Sequence, residues 1–173
     1  MCSIYYSMYD ENAHTCLYTY TKYRPPTCLR AIRSRDLDTL IRLHEEQKDV
    51  EWSPKLCREA ALRGYVDCLA YLYKSGCPWD QTTCSGAASG FVDCLRFAHE
   101  RGCPWDMETT RTAASCGSME CLRYAIEHGC PIDIYAYNAA FRNGHWALAD
   151  YIKSCLSQQL PPYHVIHTPN KSH

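Results

Sequence analysis

No apolar run in this chain approaches the roughly 18 residues that a membrane-spanning helix requires, so we expect no membrane insertion. No charge of one sign dominates either. The formal net charge is −1, whereas a wholesale nucleic-acid binder is normally strongly basic. The opening stretch MCSIYYSMYDENAH lacks the basic residues and apolar segment of a secretory leader, which points to a cytoplasmic setting. The signatures of catalysis are missing too. There is no phosphate-binding glycine loop, no His-Glu-x-x-His and no Gly-x-Ser-x-Gly. We therefore expect neither an enzyme nor a cofactor, and the eight histidines are scattered.

What is abundant is cysteine, with thirteen in 173 residues and no Cys-x-x-Cys among them. An odd count that recurs at regular places reads as small buried apolar side chains kept reduced. No cysteine and histidine spacing matches a zinc frame, so we expect no metal. Hydrophobic residues at 46% and charged residues at 21% suit a single globular domain with a real core.

The organisation is periodic. GCPWD stands at residues 76–80 and again at 102–106, and GCPID follows at 129–133. One reaction needs one site, so a motif restated every 26 or 27 residues reads as a structural joint. Alignment on Arg35, Gly64, Gly90, Gly117 and Gly144 gives five units. Four residues before each anchor lie Ala31, Ala60, Gly86, Ala113 and Ala140, all small. Three before it come Ile32, Ala61, Ala87, Ala114 and Phe141. Five after it lie Leu40, Leu69, Leu95, Leu122 and Ala149, and seven after it the aromatics Tyr71, Phe97, Tyr124 and Tyr151, with Arg42 breaking the pattern in the first unit.

Each unit reads as two short antiparallel helices. Their first helices are expected over 28–34, 55–63, 81–89, 107–116 and 134–143, and their second over 36–48, 65–75, 91–101, 118–128 and 145–155. Ser53 before Pro54, and Asp80, Asp106 and Asp133, mark helix starts. Asp38, Asp67, Asp93 and Glu120 sit in the first turns of second helices, with Lys74, Arg101 and His128 in their last turns, as the helix dipole favours. In the joint, Gly76, Gly102 and Gly129 stop one helix in the left-handed region. Pro78, Pro104 and Pro131 prevent its continuation, and the aspartate starts the next. Cys77, Cys103 and Cys130 tuck between units, while Trp79 and Trp105 seal the loop edge.

The segment TAASCGSMECLRYAIEHGCPID resembles the ankyrin-repeat pattern. More specifically, AASGFVDCLRFAHERGCPWD resembles the short ankyrin-like repeats of giant viruses of amoebae. The likeness covers about residues 50–156, with a weaker unit at 27–49. It implies an all-α solenoid of helical hairpins that binds a protein partner, located in a host cytoplasm or a virus particle. The Thr-Pro-Leu-His start is absent and the unit is some six residues short of the usual ~33, which corresponds to a missing β-hairpin finger. The chain then divides into a tyrosine-rich arm or cap at 1–26, units at 27–50, 51–76, 77–102, 103–129 and 130–156, and an extended tail at 157–173. The arm alternates in a β-like way over HTCLYTYTKY and reads either as a cap on the stack or as a segment that orders on a partner. Within the tail, LPPYHVI has the look of a short docking motif.

Charge suggests a working face. The expected first helices hold seven basic residues (Arg30, Arg33, Lys55, Arg58, Arg63, Arg111, Arg142) against Glu59 and Glu108, a net of +5. The second helices hold seven basic and ten acidic residues, a net of −3. In ankyrin-like stacks the first helices line the concave side. We therefore expect a basic groove built on Arg30, Arg33, Arg58, Arg63, Arg111 and Arg142, with an acidic protein segment as ligand ahead of RNA. The alternative is a structural component of a larger assembly, anchored by its two terminal arms.

Overall fold

The computed structural model describes residues 27–46 and 52–159, and these form ten α-helices and no strand. They are α1 (Cys28–Arg33), α2 (Leu37–Glu46), α3 (Pro54–Leu62), α4 (Val66–Lys74), α5 (Gln81–Ala87), α6 (Val92–Glu100), α7 (Met107–Cys116), α8 (Met119–Glu127), α9 (Ile134–Arg142) and α10 (Trp146–Gln159). Odd-numbered helices open the five units and even-numbered ones close them. The tyrosine-rich arm at 1–26 and most of the tail lie outside the described residues. The tail begins later than its composition suggests, because residues 157–159 belong to α10.

The ends of the helices follow from local chemistry. Asp80, Asp106 and Asp133 accept hydrogen bonds from the backbone N–H groups of Thr82, Glu108 and Tyr135 at about 3 Å, which satisfies donors that the first helical turn leaves open. Thr27 does the same for α1, and Asp36 accepts from the N–H of Thr39 at 2.9 Å in α2. Ser53 occupies the cap position before Pro54 but makes no side-chain cap bond. Proline at the first helical position has no N–H to satisfy, so less is asked of that cap. Lys74 lies in the last turn of α4, whereas Arg101 and His128 sit one step beyond α6 and α8 as C-caps. Both still serve the helix end: the Arg101 guanidinium donates to the Phe97 carbonyl at 3.3 Å, and His128 Nδ1 lies 2.8 Å from that of Tyr124.

Left-handed residues punctuate both ends of the hairpins. Gly76, Gly102 and Gly129 have φ of 77°, 80° and 82°. The following N–H groups of Cys77, Cys103 and Cys130 reach back to the carbonyls of Leu72, Ala98 and Ala125 at 2.8–3.0 Å. That six-to-one bond is the Schellman closure, and it explains why a small residue with an N–H follows the glycine. The first unit makes its inner turn with Arg35 at φ 56° where the others use glycine.

The helices stack in two layers. First helices pack in the series α1, α3, α5, α7, α9, and second helices pack α4 on α6 and α6 on α8. The first layer is close because its crossings are small: Ala60, Ala113 and Ala140 are fully buried and Gly86 is buried with them. A Cβ built on Gly86 would lie 3.2 Å from the carbonyl oxygen of Arg58. Leu40, Leu69, Leu95 and Leu122 fill the space between the layers, each with no exposed surface. The first helices pack more closely on one another than the second helices do, and their exposed side is the inner face in the sense of the ankyrin-like expectation. The periodic aromatics Tyr71, Phe97, Tyr124 and Tyr151 do not enter the core fully; they are half-buried against its edge.

Candidate interaction surfaces

Two surfaces concentrate chemistry: the inner face of the first helices and the edge formed by the joints. At the edge, each joint cysteine is buried and its thiol points back to the preceding joint. Cys103 Sγ lies 3.3 Å from the carbonyl of Asp80, Cys130 Sγ 3.3 Å from that of Asp106, and Cys77 Sγ 3.5 Å from that of Ser53. A helix-capping residue of one unit is thereby tied to the glycine stop of the next.

Several of the buried thiols are held in their protonated form, whereas the hydrogen bond with Cys57 shifts Cys77 the other way, down from the usual thiol value. Contact with the Cys77 and Cys103 thiols, together with burial, raises Cys57 and Cys84 respectively. Burial, followed by the nearby Asp93 and Asp106, pushes Cys94 and Cys130 up to about 12. A thiol that keeps its proton at neutral pH is neither a nucleophile nor a metal ligand. All eleven cysteines among the described residues are free, and no group of three metal-ligating side chains occurs among those residues.

Aromatic rings continue the edge. Trp79 stacks on Tyr73 at 4.5 Å between centroids, Trp105 on His99 at 3.8 Å, and Trp52 meets His44 edge-on at 4.7 Å. The imidazoles are further linked to the next unit: His44 Nδ1 to the Tyr71 hydroxyl at 2.8 Å, and His99 Nδ1 to that of Tyr124 at 3.0 Å. Burial, and then His128 nearby, lowers the pKa of His99. Trp52, His44 and Tyr73 were not recognised from the sequence as members of this ladder. The signal was present, since Trp52 precedes its cap residue as Trp79 and Trp105 precede theirs. In the fifth unit Ile132 takes the tryptophan's place, beside Pro131.

The arginines of the inner face divide into two sets. Arg33 and Arg63 both donate through Nε to Glu59 Oε1 at 2.9 Å, one from the preceding unit and one from the C-cap of Glu59's own helix. The hydrogen bond from Arg33, before that from Arg63, lowers the Glu59 pKa. Arg111 makes a forked contact with Asp133, which also caps α9, and it lies 5.0 Å from the Tyr135 ring centroid. Arg111 in turn lowers the Asp133 pKa. Arg30, Arg58 and Arg142 are exposed, and neither Arg58 nor Arg142 makes an ion pair among the described residues.

The face is thus less basic than helix composition suggests. Three arginines are committed inside the chain, and the capping aspartates Asp80, Asp106 and Asp133 stand at the starts of the same helices. Positive charge without an ion-pair partner remains at Lys55 and Arg58, which border a groove of about 480 Å³ whose lining also holds the carboxylates of Asp80 and Glu108. Pro54, Leu62 and Gly86 form part of its walls, Thr82, Ser85 and Thr112 supply hydroxyls, and Asp80 and Glu108 lie at the α5 and α7 side. This groove runs across three successive first helices, α3, α5 and α7.

Compared with known proteins, the chain matches no family model and no curated protein. Among the described residues no helix is long and apolar enough to cross a membrane.

Proposed function

We propose that the chain is an ankyrin-like interaction module that holds an acidic segment of a protein partner in the groove across α3, α5 and α7, without catalysing a reaction. The ankyrin-like reading is supported by paired antiparallel helices, small residues at the first-helix crossings and left-handed turns between the hairpins. The joints 75–80, 101–106 and 128–133 contain no strand, which fits a short repeat without fingers and leaves helix faces as the working surface.

One observation carries the proposal. Lys55 and Arg58 border the groove, are exposed, and have no ion-pair partner among the described residues, whereas Arg33, Arg63 and Arg111 do. A carboxylate placed at the α3 border gains two cations and is kept to that side by Asp80 and Glu108 opposite, with hydroxyls nearby to donate hydrogen bonds. Exposed charges of this kind steer association and set orientation, so binding weakens as salt rises. The test is fluorescence anisotropy with a labelled Glu-rich peptide and a Lys-rich control. Salt-sensitive binding of the Glu-rich peptide, lost in the Lys55→Glu/Arg58→Glu double variant, supports the groove. Equal binding of both peptides, or an unaffected double variant, refutes it.

A further inference from the structure

Phe141 stands where Ile32, Ala61, Ala87 and Ala114 stand in the earlier units. Those four residues have no exposed surface, but Phe141 is 49% exposed. Tyr137 likewise occupies the place of Cys57, Thr83 and Thr110, all fully buried, and is itself only half-buried. On α9, Ile134, Tyr137 and Phe141 follow the i, i+3, i+7 spacing of a single helix face. Trp146 of α10 meets Phe141 edge-on at 4.9 Å and is 59% exposed. A groove of about 350 Å³ between the two helices is lined by Ile134, Tyr137, Lys153, Leu156 and Ser157. The last unit therefore carries large apolar side chains where the interior units carry small ones, and shows them to water. A terminal repeat that faces solvent is ordinarily polar on its outer side.

We propose that this face is the seat of the chain's own residues 160–166, LPPYHVI, folded back from the end of α10. The groove lies beside the point where the chain leaves the helix: Leu156 and Ser157 line it and Gln159 ends α10. Pro161 and Pro162 forbid helical continuation and favour extended backbone. Of the seven residues only His164 is strongly polar, and the HTPNKSH that follows is polar throughout. An extended segment of that length reaches roughly 20 Å at ~3.1 Å per residue, about twice the 8–10 Å between packed helix axes. It can cross from α10 to the α9 stripe and bring Tyr163, Val165 and Ile166 onto Ile134, Tyr137 and Phe141. A tethered segment acts at an effective concentration in the millimolar range, which favours it over a second copy at dilute protein.

The test uses the full chain with the photo-crosslinking residue p-benzoylphenylalanine at position 163. Irradiation at dilute protein is expected to link it within the same chain to residues 134–141 or 146–157, read by mass spectrometry. Links between chains, links to the earlier units, or no link overturn the proposal. As a second readout, a chain ending at Gln159 should bind several-fold more of the apolar dye ANS than the full chain at equal helicity; equal binding overturns it. A full-length dimer that Phe141→Glu splits into monomers would instead make this face a self-association surface, and the tail proposal would fail.

Discussion

The two helical layers meet the same packing requirement by opposite means. The first helices come close by having almost nothing at their crossings: Ala60, Gly86, Ala113 and Ala140. Their exposed face mixes polar side chains with Leu62, Met107, Ile134 and Phe141, and much of its charge is tied down by Glu59 and Asp133. The second helices stand behind a row of leucines and finish at the joint edge in stacked rings, Trp79 on Tyr73 and Trp105 on His99. The contrast teaches that ring area and arginine charge, the two features that most suggest binding, are largely occupied within the chain. What remains available on the inner side, among the described residues, includes Arg142 and the Lys55 and Arg58 border of the groove.

The sharpest way to break the comparison is to change side-chain size in each layer. Leu95→Ala should cost about 2–5 kcal/mol in chemical denaturation, from lost burial and the cavity left between the layers. Gly86→Leu should cost about 1–3 kcal/mol for the opposite reason, since the Cβ alone already crowds the Arg58 backbone. If Gly86→Leu proved neutral, the first helices would not be held at their limiting distance. Gly102→Val follows, at about 1 kcal/mol or more. Nothing lies within 4 Å of a Cβ built there, so the penalty comes from φ 80° and not from collision.

Acid should distinguish the layers by pH. The folded pKa of His99 is lowered, so the unfolded chain takes up a proton first as pH falls through the ordinary histidine value near 6.5. Stability therefore declines from that point until the folded form also protonates. The contributions of Glu59 and Asp133, whose folded pKa values are also lowered, are complete above the ordinary carboxylate range and are lost as pH falls through their folded values. A stability profile against pH should show both limbs, and His99→Gln should remove the upper one alone. The smallest effect on stability belongs to Lys55→Glu/Arg58→Glu, within about 0.5 kcal/mol because both side chains are exposed and without ion pairs. A larger loss would mean that these side chains support the fold as well as the groove.

The joints were legible because their chemistry is local. A glycine in the left-handed region, a following N–H that closes the turn and an aspartate that caps the next helix all act within a few residues. Even there, the boundaries shifted by a step at Arg101 and His128, and α10 ran on to Gln159. The groove was legible only in part. A count of charges along the first helices includes Arg33 and Arg111, whose partners lie 26 and 22 residues away and came into reach through stacking. It also leaves out Asp80, Asp106 and Asp133, which precede the helices in sequence but share their face.

The period, the helical hairpins and the small, large and capping positions follow from the order of residues alone, because backbone hydrogen bonding and side-chain size act within one unit. Which charges stay open, which rings are covered and which end of the stack shows its aromatics depended on the neighbouring unit. Phe141 makes the difference plain. Its position in the repeat is an interior one in sequence, and it is exposed because α9 has no further first helix packed beyond it among the described residues.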